Sequence, residues 1–386
     1  MLAITGGKIY TITRGVIEKG TVLIEDGKIK EIGADVEVPD GCRAVDAGGR
    51  LVFPGFIDAH AHLALAEEGL GWEGNDVNEA TDPVTAHVRA LDGINPADEG
   101  ILDAVAGGVT SVWVAPGSGN VVGGEGASLK TFGDTADAML IKAPTGLKAA
   151  FGENPKRVYS QKDKMPSTRM GNAAVLRDTL TRGLNYIRKM EKSEKEDDLF
   201  EVDLKLEPVA RVLRREMPLR LHAHRADDIQ TALRVGDEFS LDLVIEHCTE
   251  GHRVARELQK RQVPAVVGPT MTTKRKVELR DRRLDTPAMM VAEGVKLALT
   301  TDHPVIPIQY LTLTAALAVR EGLPEEEALK AISINAAEIA QVGDRVGSLE
   351  PGKDADVVIW DGHPLELKSR VATVFINGEL AYSAEE

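Results

Sequence analysis

Short alternating apolar runs broken by turn residues open the chain, at Lys8 to Ile12, Thr21 to Glu25 and Lys28 to Ile32. The last two flank Asp26-Gly27, and an Asp-Gly pair between such runs is a strong hairpin signal because both central residues of the tight turn take positive φ. The other end repeats the pattern, with Asp356 to Trp360 and Val371 to Ile376 ahead of Asn377-Gly378 and Glu379 to Tyr382. Both ends therefore predict small antiparallel sheet. Between them, apolar runs alternate with helical stretches, as parallel strands joined by helical crossovers do. The runs predict eight strands, near Phe56 to His60, Thr110 to Ala115, Ala138 to Ile141, Leu147 to Phe151, Leu219 to His222, Leu241 to His247, Pro264 to Val267 and Lys296 to Thr301. A long helix is predicted over Asn172 to Lys195, running into a charged stretch, Met190 to Asp198, that reads as a solvated helix end. A last helix is predicted over Asn335 to Val342.

The length of 386 residues fits one barrel of roughly 250 residues with a smaller companion. With 43% apolar and 28% charged residues, disorder is excluded as a description of the chain. A formal charge of -15 repels phosphate backbones and anionic lipid, so no nucleic acid and no membrane is expected as partner, and a small molecule is. A homo-oligomer is compatible with the sequence. Cys42 and Cys248 are too few for a disulfide framework, the first ten residues lack a signal-like pattern, and no apolar run reaches about 18 residues. These features point to a cytoplasmic protein.

Candidate chemistry gathers at the ends of the predicted strands. In Pro54-Gly55-Phe56-Ile57-Asp58-Ala59-His60-Ala61-His62, His60 and His62 are two apart on a strand, share a face and can grip one ion. Alone, a His-x-His pair is only suggestive. Leu221-His222-Ala223-His224 repeats the spacing, and Ile245-Glu246-His247-Cys248 and Thr300-Thr301-Asp302-His303-Pro304 end two further strands. Each has a bland alternative: a packed core histidine for His247, a helix N-cap for Asp302. Cys248 falls on the face opposite His247 and reads as structural. His252 lies in the following turn, compatible with a solvent-facing position, and His303 is left open.

Pro54 to His62 resembles the opening strand of the amidohydrolase superfamily, including its imidazolonepropionase-like and dihydroorotase-like branches. Ala106-Gly107-Gly108-Val109-Thr110-Ser111 resembles the family's second-strand entry, and Gly347 to Asp356 its return into the small sheet. The resemblance implies an α/β fold, a (β/α)8 TIM barrel over 54–346, with 1–53 and 347–386 pairing into one β-sandwich. It implies His60, His62, His222, His247 and Asp302 as metal ligands. His224 is left to a second ion, to substrate or to support of a ligand. Two-ion members bridge their metals with a carboxylated lysine or a glutamate, for which this chain offers Lys148 and Glu153. Phe151-Gly152-Glu153-Asn154-Pro155 leaves a predicted strand and resembles the Glu-Gly-Pro context of acetylglucosamine-phosphate deacetylases, so Glu153 is preferred, and an ordinary salt bridge is the alternative for Lys148.

Such a donor set suits zinc best, as one or two ions, though manganese, iron or nickel is tolerated by similar ligands. The implied reaction is hydrolysis of a carbon–nitrogen bond in an amide, lactam or cyclic amide by metal-activated hydroxide, with His247 or His224 stabilising the oxyanion and Asp302 moving the proton. Deamination of an amino-substituted heterocycle is the enzymatic alternative, weakened because His224 stands where those members typically carry a strand-five glutamate. A non-catalytic barrel is the alternative from another class. Pro116-Gly117-Ser118-Gly119-Asn120 and Gly123-Gly124-Glu125-Gly126 are expected as loops at the mouth, where their amides could cradle an anion. Lys274-Arg275-Lys276 and Arg280 to Arg283 concentrate positive charge after the seventh strand, which motivates an anionic substrate, with a solvated loop as the alternative.

Overall fold

The runs at the two chain ends meet in one sheet, as a computed structural model describing residues 1–384 shows. The N-terminal part supplies β1 (Leu2–Tyr10), β2 (Val16–Glu25), β3 (Lys28–Gly33), β4 (Arg43–Asp46) and β5 (Leu51–Pro54). The central part supplies β6 (Phe56–Ala61), β7 (Val109–Val114), β8 (Val122–Lys130), β9 (Leu140–Ala150), β10 (Leu219–Ala223), β11 (Leu243–His247), β12 (Ala265–Val267) and β13 (Leu297–Leu299). The chain returns as β14 (Val357–Trp360), β15 (Val371–Ile376) and β16 (Glu379–Ser383). The terminal sheet runs β16-β15-β14-β5-β1-β2-β3, with β4 beside β1, so that β14 pairs antiparallel with β5 and joins the two ends. Its hairpins turn where the sequence places them, at Asp26-Gly27 (φ 50° and 75°) and Asn377-Gly378 (φ 50° and 75°).

The second sheet runs in chain order from β6 to β13 and curls into a nearly closed (β/α)8-like barrel. Strands such as β6, β7, β10 and β11 are buried along their whole length, the consequence of being covered on both faces, and this is why they read as continuous apolar runs. Helices Ala226–Phe239, Ala255–Arg261 and Thr286–Ala292 make the crossovers of the second half. The predicted long helix spans Arg169–Glu196 and packs with Glu207–Leu213 outside β9.

One strand differs from expectation. Val122–Lys130, which contains the glycines read as a loop, is β8, fully buried and antiparallel to both β7 and β9. Glycine lowers strand propensity, but here it makes room: a Cβ at Gly126 would lie 2.4 Å from Trp113 Cζ2. The segments expected as separate strands at Ala138 to Ile141 and Leu147 to Phe151 instead contribute to the single strand β9, preceded by the one-turn helix Ala136–Met139.

No ladder joins β13 to β6. The seam is closed by side chains and isolated bonds: Asp58 Oδ2 accepts from Thr301 N at 3.0 Å and Thr301 Oγ1 at 2.5 Å, and Thr300 Oγ1 donates to the His60 carbonyl. His62 N donates to the His303 carbonyl at 2.9 Å. The first and last strands are thus locked in register at the end that carries the chemistry.

The barrel meets the terminal sheet across stacked Tyr10 and Phe53 (centroids 4.3 Å apart), with Phe56 and Trp360 beside them. A buried charge cluster adds to this junction: Lys130 Nζ on β8 lies 2.6 Å from Asp356 Oδ2 and 3.1 Å from Asp354 Oδ2, and Thr110 Oγ1 donates to Asp356 at 3.2 Å. Removing one member of such a group leaves its partners desolvated and unpaired. Lys130→Met is therefore expected to cost about 3–5 kcal/mol in urea unfolding, the scale of a broken buried pair. A loss below about 1 kcal/mol would show that the cluster does not hold the junction.

Candidate metal centre

Five histidines reach the barrel mouth, and each is held by its Nδ1. His62 Nδ1 lies 2.8 Å from the Ala115 carbonyl, His222 Nδ1 2.8 Å from Ser118 Oγ, His224 Nδ1 2.7 Å from Thr249 Oγ1, and His247 Nδ1 2.9 Å from the Gly268 carbonyl. His60 Nδ1 lies 2.9 Å from Glu246 Oε2. A carbonyl on Nδ1, as at His62 and His247, fixes the tautomer and aims Nε2, while the hydroxyls on His222 and His224 hold the rings in place; metal-binding histidines are held in this way. Four Nε2 atoms are left for the mouth, and the fifth, on His60, meets Lys148 Nζ at 3.2 Å.

They form two groups whose ligand atoms lie within 4.8 Å of one another: His60, His62 and Asp302, and His222, His224 and His247. Asp302 Oδ1 is 3.6 Å from both His60 Nε2 and His62 Nε2, while its Oδ2 is 3.8 Å from His247 Nδ1. His247 (φ 68°) and Asp302 (φ 55°) both take left-handed backbone. Strict strand alternation would send Glu246 and His247 to opposite faces. The turn at His247 breaks that alternation, and both side chains serve the site. Such conformations cost of order 1–3 kcal/mol each and persist where the surroundings enforce them.

Burial sets the charge states. It pushes His60 down to about 4 and holds His62, His222, His224 and His247 well below the ordinary imidazole range. Neutral imidazole is the form that binds metal. Burial also pushes the Asp302 carboxyl up and the Lys148 ammonium down. Beneath the mouth lies a buried ionic floor. Arg220 stacks on Trp113 (3.4 Å to the ring centroid), donates to Glu246 Oε1 at 2.5 Å and to the Ala59 carbonyl at 2.7 Å. Burial alone would raise the Glu246 carboxyl, but Arg220, His60 and Lys148 outweigh it and hold it at about 2.

The structure thus brings together His60, His62, His222, His224, His247 and Asp302. Lys148 joins them: its Nζ lies 3.2 Å from His60 Nε2, fully buried on β9. Glu153 does not, and its expected place is corrected. The chain turns at Gly152 (φ 87°), so Glu153 opens the helix Glu153–Ser160 instead of ending the strand, and neither group includes it. His252 is also corrected: its ring is tied to Thr286 Oγ1 at 3.1 Å and Asp281 Oδ2 at 3.3 Å. His303 is buried but lies in neither group. Residues missed from sequence include Asp58, Arg220, Glu246, Ser118, Thr249 and Glu278. A usable signal existed for Asp58 and Glu246, acidic residues inside apolar strands beside histidines. Ser118 lay in a loop read only as an anion cradle.

Residues 214–381 match the model of the amidohydrolase family. A crystal structure of an amidohydrolase from Thermotoga maritima superposes with a TM-score of 0.97 at 48% identity, over 99% of this chain and 100% of that one. This chain belongs to the amidohydrolase family. Among related amidohydrolases, the protein tasK of Hapsidospora irregularis is 29% identical over 93% of the chain, which spans 39% of that protein's length. The imidazolonepropionase of Mesorhizobium japonicum is 28% identical over 92% of the chain and 90% of its own length.

Holding neutral histidines in a buried mouth predicts acid sensitivity. Between the ordinary imidazole value of 6.5 and the folded value of about 4 for His60, the folded state binds fewer protons than the unfolded one. The stability this contributes is present above pH 6.5 and is lost as pH falls through that window. The thermal midpoint of chelator-treated amidohydrolase is expected to drop between these pH values, and the drop to shrink in His222→Gln/His224→Gln. A midpoint that is flat over the window, or an equal drop in the double variant, contradicts the assignment.

Proposed function

We propose that this amidohydrolase hydrolyses a carbon–nitrogen bond of a small molecule, an amide, lactam or cyclic amide, with zinc as its native metal. The observation that carries the reading is the pair of histidine groups meeting at Asp302 in one mouth. The residues fit a divalent ion: His222 Nε2 is buried with no hydrogen-bond partner, and the imidazoles are aimed and kept neutral. His60, His62 and Asp302 would hold one ion, and His222 and His247 a second. Such an ion supplies a hydroxide nucleophile at neutral pH and polarises a carbonyl. Imidazole and carboxylate donors in this number favour zinc over harder, all-oxygen metals.

Asp302 is the proton carrier in this scheme. At 13% side-chain exposure it lies close to both groups and still faces the mouth. It takes the proton of the attacking water and returns it to the departing nitrogen, which otherwise leaves as a costly amide anion. His247 Nδ1 is spent on the Gly268 carbonyl, so His224 is left either to offer an N–H toward the oxyanion or to serve the second ion. Lys148, rather than Glu153, would supply the carboxylate shared by two ions, after its neutral Nζ adds carbon dioxide and loses a proton; burial lowers the ammonium and so favours that free amine. Lys276 supports an anionic substrate, because its charge is felt at His222, His224 and Asp302. We place the protein in the cytoplasm; among the described residues, no helix is long and apolar enough to cross a membrane.

A panel of N-acyl, lactam and cyclic amide compounds, with and without carboxylate groups, tests the reaction class. Asp302→Asn should keep the fold and much of the metal while turnover falls roughly a hundredfold or more. Near-native turnover on metal-quantified protein removes Asp302 from the mechanism. Lys148→Ala is expected to lose one of two bound ions by elemental analysis, whereas Glu153→Gln keeps both; the reverse result restores Glu153 as the bridge.

A further inference from the structure

We propose that Glu278 is a fourth protein ligand of the His222, His224 and His247 group, so that the second ion is held by three imidazoles and a carboxylate. The inference rests on the metal-dependent reading above and assigns a residue to it from a different element. Glu278 lies on the single turn Val277–Leu279 between β12 and β13, within the stretch that sequence alone marks only as basic. Its neighbour Val277 is 70% exposed, yet Glu278 is 1% exposed and points inward.

The two carboxylate oxygens have separate surroundings. Oε2 accepts the Glu153 backbone N–H at 2.9 Å. Gly152 makes that approach possible, since a Cβ there would lie 2.6 Å from Oε2. The side chain is thereby aimed, with Oε1 turned to the histidines, 3.9 Å from His222 Nε2 and 3.8 Å from His224 Nε2. Those distances are too long for hydrogen bonds. They exceed by about 0.4–0.5 Å the separation of ~3.4 Å between donors that each stand ~2.1 Å from one tetrahedral ion, and Glu278 lies outside the 4.8 Å group of the three histidines, so the carboxylate would draw inward to complete the set. Among the described residues, neither Glu278 Oε1 nor His222 Nε2 has a hydrogen-bond partner, and both are buried.

A buried carboxylate oxygen with no partner is strongly unfavourable unless a cation meets it. Lys276 is not seated there: its Nζ gives one of its three N–H bonds to Asn154 Oδ1 at 2.7 Å and, among the described residues, makes no ion pair with Glu278. A substrate ammonium is not favoured either. Oε1 is closed to a water-sized group, and a bare divalent ion is smaller than water. The role left open for His224 then becomes that of a ligand in this four-donor set.

The test isolates the second group. His60→Ala/His62→Ala removes the first, and cobalt(II) is titrated into that chain, followed by visible absorption and by elemental analysis after gel filtration. One tightly held cobalt per chain is expected. Adding Glu278→Gln should weaken it by about a hundredfold, at least the loss seen on removing a partner one step further from a metal. No cobalt in the double variant, or equal affinity with Gln at 278, overturns the proposal. Should the glutamine variant fail to fold, a zinc-loaded crystal structure of the unaltered chain decides: Glu278 Oε1 within about 2.2 Å of an ion supports it. An ion on the three histidines with that oxygen beyond about 3 Å, or no ion there, refutes it. These readouts need no turnover, so a protein that binds two ions but hydrolyses none of the panel would sink the hydrolase reading alone.

Discussion

A single buried carboxylate closes the barrel. Asp58 has no solvent, and burial pushes its carboxyl up, yet it accepts hydrogen bonds from Thr301 and from His60 N at 3.2 Å. With no strand ladder between β13 and β6, these bonds and the Thr300 to His60 link set how the first and last strands meet. The distances from Asp302 to His60 and His62 follow from that seam. A barrel that closed one residue out of register would present the other face of β6, and the histidine pair would point into the surrounding helices.

The mouth so formed is a place where charge is expensive. Its imidazoles are neutral, Lys148 and Asp302 are driven in opposite directions by the same loss of water, and the floor beneath is an ion pair of Arg220 and Glu246. The neutral imidazoles and the lowered Lys148 ammonium reduce the cost of placing a divalent cation there, whereas the raised Asp302 carboxyl must give up its proton before it can hold one. The left-handed backbone at His247 and Asp302 belongs to the same design, since it turns the last residues of two strands toward a common point. Local strain is tolerated there because the buried strands around it are fixed on both faces.

The fold and family are carried over the whole chain by a 48% identical structure, while the reaction partner is decided by the walls of the mouth. Those walls are built largely from connections following the strands, among them the segment around Lys276 and Glu278. Barrel enzymes vary chemistry through such connections without altering the strands that carry the ligands. The floor of Trp113, Arg220 and Glu246 is insulated from that variation because Gly126 and Gly146 on neighbouring strands leave the space it fills.

The amino-acid order by itself determined the two-part architecture and most of the histidine set. Apolar runs of strand length, Asp-Gly and Asn-Gly turns, and two His-x-His pairs are local patterns, and period-two geometry makes them legible without a partner. Only the tertiary structure decided what those side chains meet. β8 was invisible because its glycines answer to distant partners, Gly126 to Trp113 and Gly124 to the Val88 carbonyl, rather than to their own neighbours in sequence. Sequence alone preferred Glu153 to Lys148, because it could not show that one residue of left-handed backbone at Gly152 moves the glutamate onto a helix and leaves the lysine facing His60. Glu278, 125 residues from the backbone N–H that holds it, has no local pattern at all. Whether a carboxylate is a surface charge or a ligand depends on desolvation by segments far away in the chain, and that is settled only when the barrel closes around it.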